Sequence, residues 1–427
     1  MYTVHSISSL SGSIQVPGDK SISHRAVMFG SIAKGITEIN GFLNGEDCLH
    51  TIKVFQQLGV NIERTGETSY KVNGKGLYSL KEPQDVLYVG NSGTTIRLTA
   101  GILSGQPFYS VLTGDSSIIR RPMKRVIEPL SMMGAKIDGK ENGRFAPLTI
   151  RGGHLQGITY ESPVASAQVK SAILLAGLYA DGKTTVIEPY RSRDHSERLL
   201  AQFGAKLEVQ DDRVTIFPKP DLEAQLVQIP GDFSSAAYFI AAALIVPNSR
   251  IEIKNVGMNE TRIGFLEVVK KMNGKVEITD IRSFGQEPVA NLIIETSSLT
   301  GIEISGEMIP RLIDELPLLA VLATQAEGLT KVTDAKELRV KETDRIKTIS
   351  VALRNVGVEI EELVDGFVIK GKQKIYGGQI STEGDHRIGM AMAIAGLIAE
   401  TPIIIHQSEA IHVSYPQFFV DLNRLIK

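Results

Sequence analysis

The sequence predicts a two-domain α/β protein built from six βαβαββ repeats, three in each domain. Short strings of strand-forming residues, each ending in turn residues, lead repeatedly into a helix rich in Ala, Ile, Leu and Gly. A recurring period of this kind is typical of repeat architectures. The helix starts recur at intervals of 68 to 80 residues, near Ser21, Ser92, Ser166, Ser234, Asp314 and Asp385.

Each repeat continues in the same order after its first helix. A strand follows, then a more charged second helix, and then a strand introduced by a turn that usually contains glycine. A further strand closes each of the first five repeats. The first helix is apolar nearly all round, which predicts burial, whereas the second is amphipathic and should face solvent. The sixth repeat stops early, and we expect residues 2–8 to supply its missing strand.

Two matching phrases indicate where the chain passes between domains. VPGD at 16–19 and IPGD at 229–232 both contain Pro-Gly, which interrupts strands and helices alike. We therefore expect residues 18–228 to form one domain, and residues 1–17 with 229–427 to form the other. Because ligands often bind between domains, the active site is expected in the interdomain cleft.

Composition narrows the class of protein. The chain has 427 residues and is 42% hydrophobic. Its formal net charge is only -2, so its overall charge does not attract it to nucleic acid or to an anionic membrane. The single cysteine, Cys48, excludes an internal disulfide framework and a multi-cysteine zinc site. No run of about 18 apolar residues occurs, and the first residues do not resemble a signal peptide. We expect a cytoplasmic protein.

Charged and hydroxylated residues concentrate at the helix starts, where a buried apolar helix would not ordinarily place them. The first helices supply Lys20, Ser21, Arg25, Asn91 to Thr94, Arg97, Ser166 to Gln168, Lys170, Asp385, His386 and Arg387, and the second helices supply Arg120, Arg121, Lys124, Arg191 and Arg193. Helix N-termini carry unpaired N–H groups and a partial positive charge. Added Lys and Arg therefore predict receptors for phosphate or carboxylate. For any one residue, a solvated surface charge remains the alternative.

Two acidic positions stand out. Asp314 and Glu315 interrupt an apolar stretch, which predicts either a functional base or a helix cap. In LRVKETDRI, Lys341 and Arg345 stand four residues apart, on one face of a predicted helix, and Glu342 lies beside them as a potential proton donor or acceptor. An exposed helix start held by salt bridges is the alternative there.

Six motifs, in order along the whole chain, resemble those of the 5-enolpyruvylshikimate-3-phosphate synthases: PGDKSISHR, NSGTTIR, SAQVKSA, IDELP, KETDRI and GDHRIGMA. The resemblance implies an inside-out α/β barrel in each domain, with helices inside and sheets outside. It also implies transfer of the enolpyruvyl group of phosphoenolpyruvate to the 5-hydroxyl of shikimate-3-phosphate, on the pathway to chorismate and the aromatic amino acids. The family often works as a monomer and without metal or redox cofactor.

The resemblance also implies which residues contact each substrate, carried over motif by motif. For shikimate-3-phosphate they are Lys20, Ser21, Arg25, Ser166, Gln168, Arg193, Asp314 and Lys341. For phosphoenolpyruvate they are Lys20, Gly93, Arg121, Gln168, Arg345 and Arg387. Asp314 would take the 5-hydroxyl proton, and Glu342, aided by Lys20, would protonate the methylene carbon. Many members carry a lysine just before [ST]-[FY]-P, where this chain has Val413.

Two alternatives stay open on the sequence. The related transferase that acts on UDP-N-acetylglucosamine uses a loop cysteine before an Arg-Pro pair, whereas this chain has Asp115-Ser116-Ser117 ahead of Arg121-Pro122. The second alternative is a repeat protein that binds nucleic acid as a clamp, because a repeat architecture alone does not indicate a catalytic activity. A clamp should show a basic surplus, and the charge here is balanced.

Overall fold

A computed structural model describes residues 1–427 and divides them into two compact units. The N-terminal unit comprises Gly18–Ile229 together with the short turn Phe284–Gln286. The C-terminal unit comprises Met1–Pro17, Pro230–Ser283 and Glu287–Lys427. Each unit has a hydrophobic core of its own. No helix of either unit is both long and apolar enough to cross a membrane.

Twelve helices of eight residues or more follow the predicted pairing of two per repeat. They are α1 (Lys20–Ile32), α2 (Glu46–Gln57), α3 (Gly93–Ser104), α4 (Lys124–Met132), α5 (Ala167–Gly177), α6 (His195–Gln202), α7 (Phe233–Ile245), α8 (Gly264–Lys271), α9 (Leu316–Gln325), α10 (Arg345–Asn355), α11 (His386–Gly396) and α12 (Phe418–Leu425).

Burial separates the two helix classes as the sequence predicted. In α7, twelve consecutive residues from Phe233 to Leu244 are buried, whereas α4 buries only Val126, Ile127, Pro129 and Leu130 on one face. The odd-numbered helices are therefore core helices, and their polar first residues must be stabilised by specific partners rather than by water.

Three four-stranded sheets belong to the N-terminal unit. Their strands, in spatial order, are Leu226–Gln228, Lys34–Asn40, Tyr70–Lys75 and Asn61–Arg64; then Leu87–Tyr88, Tyr109–Thr113, Phe145–Arg151 and Lys136–Gly139; then Thr159–Glu161, Thr184–Ile187, Arg213–Ile216 and Leu207–Gln210. Leu155–Gln156 and Ala180–Asp181 form a separate two-stranded sheet.

The C-terminal unit repeats this arrangement. Its strands are Ser11–Ile14, Arg250–Gly257, Glu287–Glu295 and Lys275–Phe284; then Glu303–Ile304, Gly328–Val332, Gly366–Gly371 and Glu361–Leu363; then Gly378–Ser381, Ile403–His406 and Tyr2–Val4. In all six sheets the first pair is parallel and the second antiparallel. The predicted N-terminal contribution is confirmed, since Tyr2–Val4 pairs with Ile403–Ile405.

The two Pro-Gly phrases mark an exchange of strands between repeats. Ser11–Ile14, which precedes α1, pairs with Arg250–Gly257, and Leu226–Gln228, which precedes α7, pairs with Lys34–Asn40. The first and fourth repeats thus exchange their opening strands. Each Pro-Gly phrase therefore joins a strand of one unit to a helix of the other.

Side-chain caps start five of the six buried helices. The capping residues are Asp19, Ser92, Ser166, Asp232 and Asp385, each accepting a hydrogen bond from a backbone N–H of the first turn. Such a cap leaves other N–H groups of that turn available.

The second helices share an ending as well. In five of them the second residue after the helix has a positive φ, at Gly59, Gly134, Gly204, Asn273 and Gly357. Residues without a Cβ, and Asn, tolerate this conformation best, which explains the glycine turns of the sequence.

Candidate active site

Lys20 opens α1 at the edge of the N-terminal core. Its Nζ lies 3.2 Å from Oδ2 of Asp47 on α2, and its side chain keeps 20% exposure. Ser21 follows, and its carbonyl accepts from Nη1 of Arg25 at 3.0 Å. Both polar residues therefore sit where the capped first turn of α1 meets solvent.

Arg25 is 3% exposed and is positioned by two hydroxyl groups. Its Nε donates to Oγ of Ser196 at 2.7 Å, and its Nη2 donates to Oγ of Ser171 at 3.1 Å. The two serine oxygens lie 2.6 Å apart. These two hydroxyls fix the orientation of the guanidinium, as an anion receptor requires.

The third repeat contributes the start of α5. Ser166 caps the helix, and the amide of Gln168 is fixed from both ends. Its Oε1 accepts from Nη1 of Arg97 at 2.6 Å, and its Nε2 donates to Oγ1 of Thr94 at 3.0 Å. Gln168 thus connects the starts of α5 and α3. Arg193 lies in the part-buried loop before α6.

Gly93 is the first residue of α3, where two arginines converge. A Cβ at this position would lie 2.7 Å from Nη1 of Arg97 and 3.0 Å from Nη1 of Arg121. Arg121 is itself oriented by Oδ1 of Asn91 at 2.7 Å and by Oγ of Ser117 at 3.1 Å. The absence of a side chain at residue 93 lets both guanidinium groups approach the positive end of α3.

A buried chain of hydrogen bonds leads from His24 to the cap of α3. Nδ1 of His24 lies 2.6 Å from Oγ1 of Thr51, which lies 2.7 Å from Oγ1 of Thr95, which donates to Oγ of Ser92 at 2.6 Å. The hydroxyl of Thr51 also approaches the carbonyl of Asp47 at 3.5 Å. The chain thus links α1 and α2 to the cap of α3.

In the C-terminal unit, Arg345 is the centre of a carboxylate cluster. The residue is 2% exposed. Its Nε donates to Asp385 at 2.7 Å, its Nη2 to Glu342 at 2.6 Å, and its Nη1 to Asp314 at 3.2 Å. One guanidinium thereby brings together two of the predicted catalytic residues, Asp314 and Glu342.

Arg387 extends the cluster. Its Nη1 lies 3.4 Å from Oε1 of Glu315, and its Nη2 lies 4.0 Å from Oδ2 of Asp314. Glu315 is 1% exposed and also pairs with Arg262, at 3.2 Å. The two adjacent carboxylates of the IDELP motif therefore divide between the two arginines carried by α10 and α11.

Burial and charge act oppositely on these guanidinium groups. Burial lowers the pKa of Arg345, but Asp385, Glu342 and Asp314 together raise it above its ordinary value. Burial likewise lowers the pKa of Arg387, and Asp314, Tyr238 and Glu315 more than compensate. Both arginines therefore stay charged.

Two sequence interpretations of this region need correction. Lys341 and Arg345 do not share a helical face: Lys336–Val340 is a 3-10 turn, Lys341 is extended, and α10 begins only at Arg345 after the cap Asp344. Asp314 is not a helix cap either, because it lies in the 3-10 turn Ile313–Glu315 and pairs with Arg345. Glu342 gains its position through Arg345, not through helix geometry.

The predicted site residues are distributed over both units. The N-terminal unit carries Lys20, Ser21, Arg25, Gly93, Arg121, Ser166, Gln168 and Arg193; the C-terminal unit carries Asp314, Lys341, Glu342, Arg345 and Arg387. Asp385 and Glu315, which the sequence also singled out, hold Arg345 and Arg387. The sequence missed three further residues that hold these groups in place, namely Ser171, Ser196 and Arg262.

Comparison with known proteins agrees with the six motifs. Residues 4–422 match the family profile of EPSP synthase (3-phosphoshikimate 1-carboxyvinyltransferase). The 3-phosphoshikimate 1-carboxyvinyltransferase of Bacillus subtilis is 56% identical over 422 residues, covering 99% of this chain and 98% of its own. The enzyme of the same name from Bacillus pumilus is 55% identical over 425 residues, covering 99% of both chains.

Solved structures show the same similarity. An EPSP synthase from Acinetobacter baumannii superposes with a TM-score of 0.89 at 42% identity, covering 99% of this chain and 97% of its own. An enolpyruvyl transferase from Streptomyces tendae, at 15% identity, shares the fold with a TM-score of 0.81 over 99% of this chain and 96% of its own. The chain therefore belongs to the EPSP synthase (3-phosphoshikimate 1-carboxyvinyltransferase) family.

Proposed function

We propose that this protein transfers the enolpyruvyl group of phosphoenolpyruvate to the 5-hydroxyl of shikimate-3-phosphate and releases phosphate. The reaction needs a base for the hydroxyl and an acid for the methylene carbon of phosphoenolpyruvate. The observation that supports it best is the single guanidinium of Arg345, which holds the carboxylates of Asp314 and Glu342. General acid and base groups must be placed together in this way before either proton can move.

The N-terminal set of cations supports the choice of substrates. Each substrate carries one phosphate and one carboxylate, so four anionic groups would be bound at once. Two like unit charges ~4 Å apart repel by about 4 kcal/mol at an effective dielectric of about 20. Arg25 and Arg121, oriented by hydroxyl and amide oxygens, can offset this repulsion.

The proposed chemistry runs in two stages. Asp314 takes the 5-hydroxyl proton while the oxygen bonds to C2 of phosphoenolpyruvate, and Glu342, aided by Lys20, gives a proton to C3. The product of this addition is a tetrahedral intermediate that still bears phosphate. Removal of a C3 proton then restores the double bond, the C2–O bond to phosphate breaks, and the phosphate leaves. This acid–base and electrostatic scheme calls for no metal or redox cofactor.

Arg345 links substrate binding to the acid role of Glu342. A guanidinium has five N–H donors, and Arg345 already uses Nη2 on both Glu342 and Asp385. A substrate anion that binds Arg345 therefore competes with Glu342. A carboxylate that loses its cationic partner beside another anion binds a proton more readily. Binding of phosphoenolpyruvate would thus favour the protonated form of Glu342 that the first stage needs.

Each substrate would contact residues of both units. Shikimate-3-phosphate would contact Lys20, Ser21, Arg25, Ser166, Gln168, Arg193, Asp314 and Lys341. Phosphoenolpyruvate would contact Lys20, Gly93, Arg121, Gln168, Arg345 and Arg387. Both sets would act on the same pair of substrates. We further propose a cytoplasmic, monomeric enzyme of aromatic amino acid biosynthesis, in which Val413 supplies no cation to phosphoenolpyruvate.

Phosphate release by the purified protein tests the proposal. We expect release only when phosphoenolpyruvate and shikimate-3-phosphate are both present, in one-to-one ratio with the carboxyvinyl ether found by mass spectrometry. Reactions lacking either substrate are the controls. A third reaction replaces shikimate-3-phosphate by UDP-N-acetylglucosamine. Release in that reaction, or from phosphoenolpyruvate alone, would contradict the proposal.

A further inference from the structure

Lys170 on α5 is a buried lysine that the proposed chemistry does not use. Its side chain is 1% exposed, and Nζ lies 2.9 Å from Oε2 of Glu188 and 2.7 Å from Oε1 of Glu197. Burial lowers the pKa of Lys170, but Glu197 and Glu188 raise it above its ordinary value, so the lysine stays charged. Removing three charged groups from water is costly, and such a cluster adds little net stability over a well-packed apolar core.

Glu188 differs from an ordinary ion-pair partner because it holds two segments of backbone. Its Oε1 accepts from the backbone N–H of Ser166 at 3.0 Å. Its Oε2 accepts from the backbone N–H of Ser192 at 3.2 Å and from the hydroxyl of Ser192 at 2.8 Å. Ser166 is the cap of α5, and Ser192 directly precedes Arg193.

Lys170 completes this arrangement from the other side. Besides pairing with Glu188, its Nζ donates to the carbonyl of Ser192 at 3.3 Å. The loop that carries Arg193 is therefore held at both its N–H and its carbonyl by one ion pair. Charged hydrogen-bond partners of this kind are stronger than neutral ones and fix geometry more closely.

Glu197, in contrast to Glu188, does not hold a backbone segment. Its Oε1 pairs with Lys170, whereas its Oε2 is buried without a hydrogen-bond partner. The cluster thus contains two glutamates on the same lysine, of which only Glu188 reaches the two substrate-binding segments.

We infer that Glu188, fixed by Lys170, is a positioning residue that sets Ser166 and Arg193 for shikimate-3-phosphate. The inference rests on the proposed function and adds to it a residue that touches neither substrate. It assigns the effect to shikimate-3-phosphate, because the one residue of these segments that is also proposed to contact phosphoenolpyruvate, Gln168, is held separately by Arg97 and Thr94.

Glu188→Gln tests the inference with little change of shape. Glutamine has one acceptor oxygen and an NH2 donor, so at least one of the two backbone segments loses its acceptor. We expect KM for shikimate-3-phosphate to rise about tenfold or more, because the loss of a hydrogen bond to a charged acceptor weakens an interaction by about that factor. KM for phosphoenolpyruvate should stay within about twofold, since Arg97 and Thr94 hold Gln168, and Asn91 and Ser117 hold Arg121.

Glu197→Gln is the matched control, because it makes the same substitution against the same lysine. We expect its KM for shikimate-3-phosphate to stay within about twofold of wild type. Equal KM increases in both variants, or an unchanged KM in Glu188→Gln, would overturn the inference. A wild-type protein that releases no phosphate with both substrates would instead refute the proposed function.

Ser192→Ala keeps the test decisive if Glu188→Gln does not fold. The substitution removes only the hydroxyl bond to Glu188 and leaves the ion pair intact. We expect KM for shikimate-3-phosphate to rise about threefold with KM for phosphoenolpyruvate unchanged, as the loss of one hydrogen bond predicts. Identical constants for this variant and wild type would count against Glu188 as a positioning residue.

Discussion

Nη2 of Arg345 lies 2.6 Å from Oε2 of Glu342, so a buried cation orients a carboxylate that keeps 20% exposure. On the inner side, Asp385 is fully buried and holds the same guanidinium. Breaking a buried pair of this kind costs about 3–5 kcal/mol, which keeps Arg345 in place when Glu342 changes partner. Glu342 can therefore exchange its partner or proton without loss of the arginine that positions it.

Glu342→Gln should remove the proposed acid while keeping a hydrogen bond to Arg345. We expect kcat to fall by about 10²- to 10⁴-fold, the usual contribution of a general acid or base, with much smaller changes in both KM values. Steady-state phosphate release measures this. Glu361→Gln, on an exposed strand position, is the control and should match wild type. Turnover by Glu342→Gln within about threefold of wild type would remove its assigned role.

Asp314→Asn should remove the proposed base. Asparagine has nearly the same shape, and Arg345 retains Asp385 and Glu342 as partners, so we expect a folded protein. The expected fall in kcat is again about 10²- to 10⁴-fold, while calorimetric binding of shikimate-3-phosphate weakens by less than about tenfold. Asp334→Asn changes an exposed aspartate and should leave kcat unaltered. If both variants turn over equally, Asp314 is not the base.

Gly93→Ala should weaken binding of phosphoenolpyruvate selectively. The new methyl group would lie 2.7 Å from Nη1 of Arg97 and 3.0 Å from Nη1 of Arg121, so both guanidinium ends must move. Because these are the ends of flexible side chains, we expect normal stability but about a tenfold higher KM for phosphoenolpyruvate. Gly153→Ala, where a Cβ meets nothing within 4 Å, is the control. An unchanged KM in Gly93→Ala would contradict the convergence of the two arginines on substrate.

His24→Asn should reduce the sensitivity of the fold to acid. Burial, followed by the charges of Lys20 and Arg25, holds the pKa of His24 well below 6.5 in the folded protein. The unfolded chain therefore binds a proton that the folded chain does not, and stability falls as pH drops below about 6.5. This one group should cost the wild type about 2 kcal/mol between pH 7 and pH 5.

Urea unfolding at the two pH values measures this difference. Asparagine can donate to Thr51 in place of Nδ1 but does not titrate, so His24→Asn should lose about 2 kcal/mol less than wild type over this range. His412→Asn, at an exposed position, should behave as wild type does. Equal losses in all three proteins would show that His24 becomes protonated without unfolding.

Local patterns predicted most of the fold. The six first helices and their burial follow from periodicity, the starts of five of them from Ser or Asp caps, and the turns after the second helices mostly from glycine. The phrases VPGD and IPGD indicated where the chain crosses between domains, but the sheet partners of Ser11–Ile14 and Leu226–Gln228 could not be predicted. Which sheet a strand joins depends on partners far along the chain, such as Arg250–Gly257 for the first of them.

The sequence named candidate site residues but not their pairings. Polar groups at apolar helix starts singled out Lys20, Arg25, Asp314 and Arg387 as candidates. The bond from Arg345 to Asp385 joins residues 40 apart, and no spacing rule connects them. The helical placement of Lys341 failed because Asp344 caps α10 and excludes the preceding residues from it.

Oxygen isotope labelling tests the addition–elimination chemistry most directly. Phosphoenolpyruvate labelled with ¹⁸O at the atom bridging C2 and phosphorus is turned over with shikimate-3-phosphate, and the released phosphate is analysed by ³¹P NMR. We expect the label in the phosphate, because the C2–O bond breaks when the tetrahedral intermediate collapses. Unlabelled phosphate, with the label retained on the three-carbon fragment, would mean that the P–O bond breaks and would contradict the roles of Asp314 and Glu342.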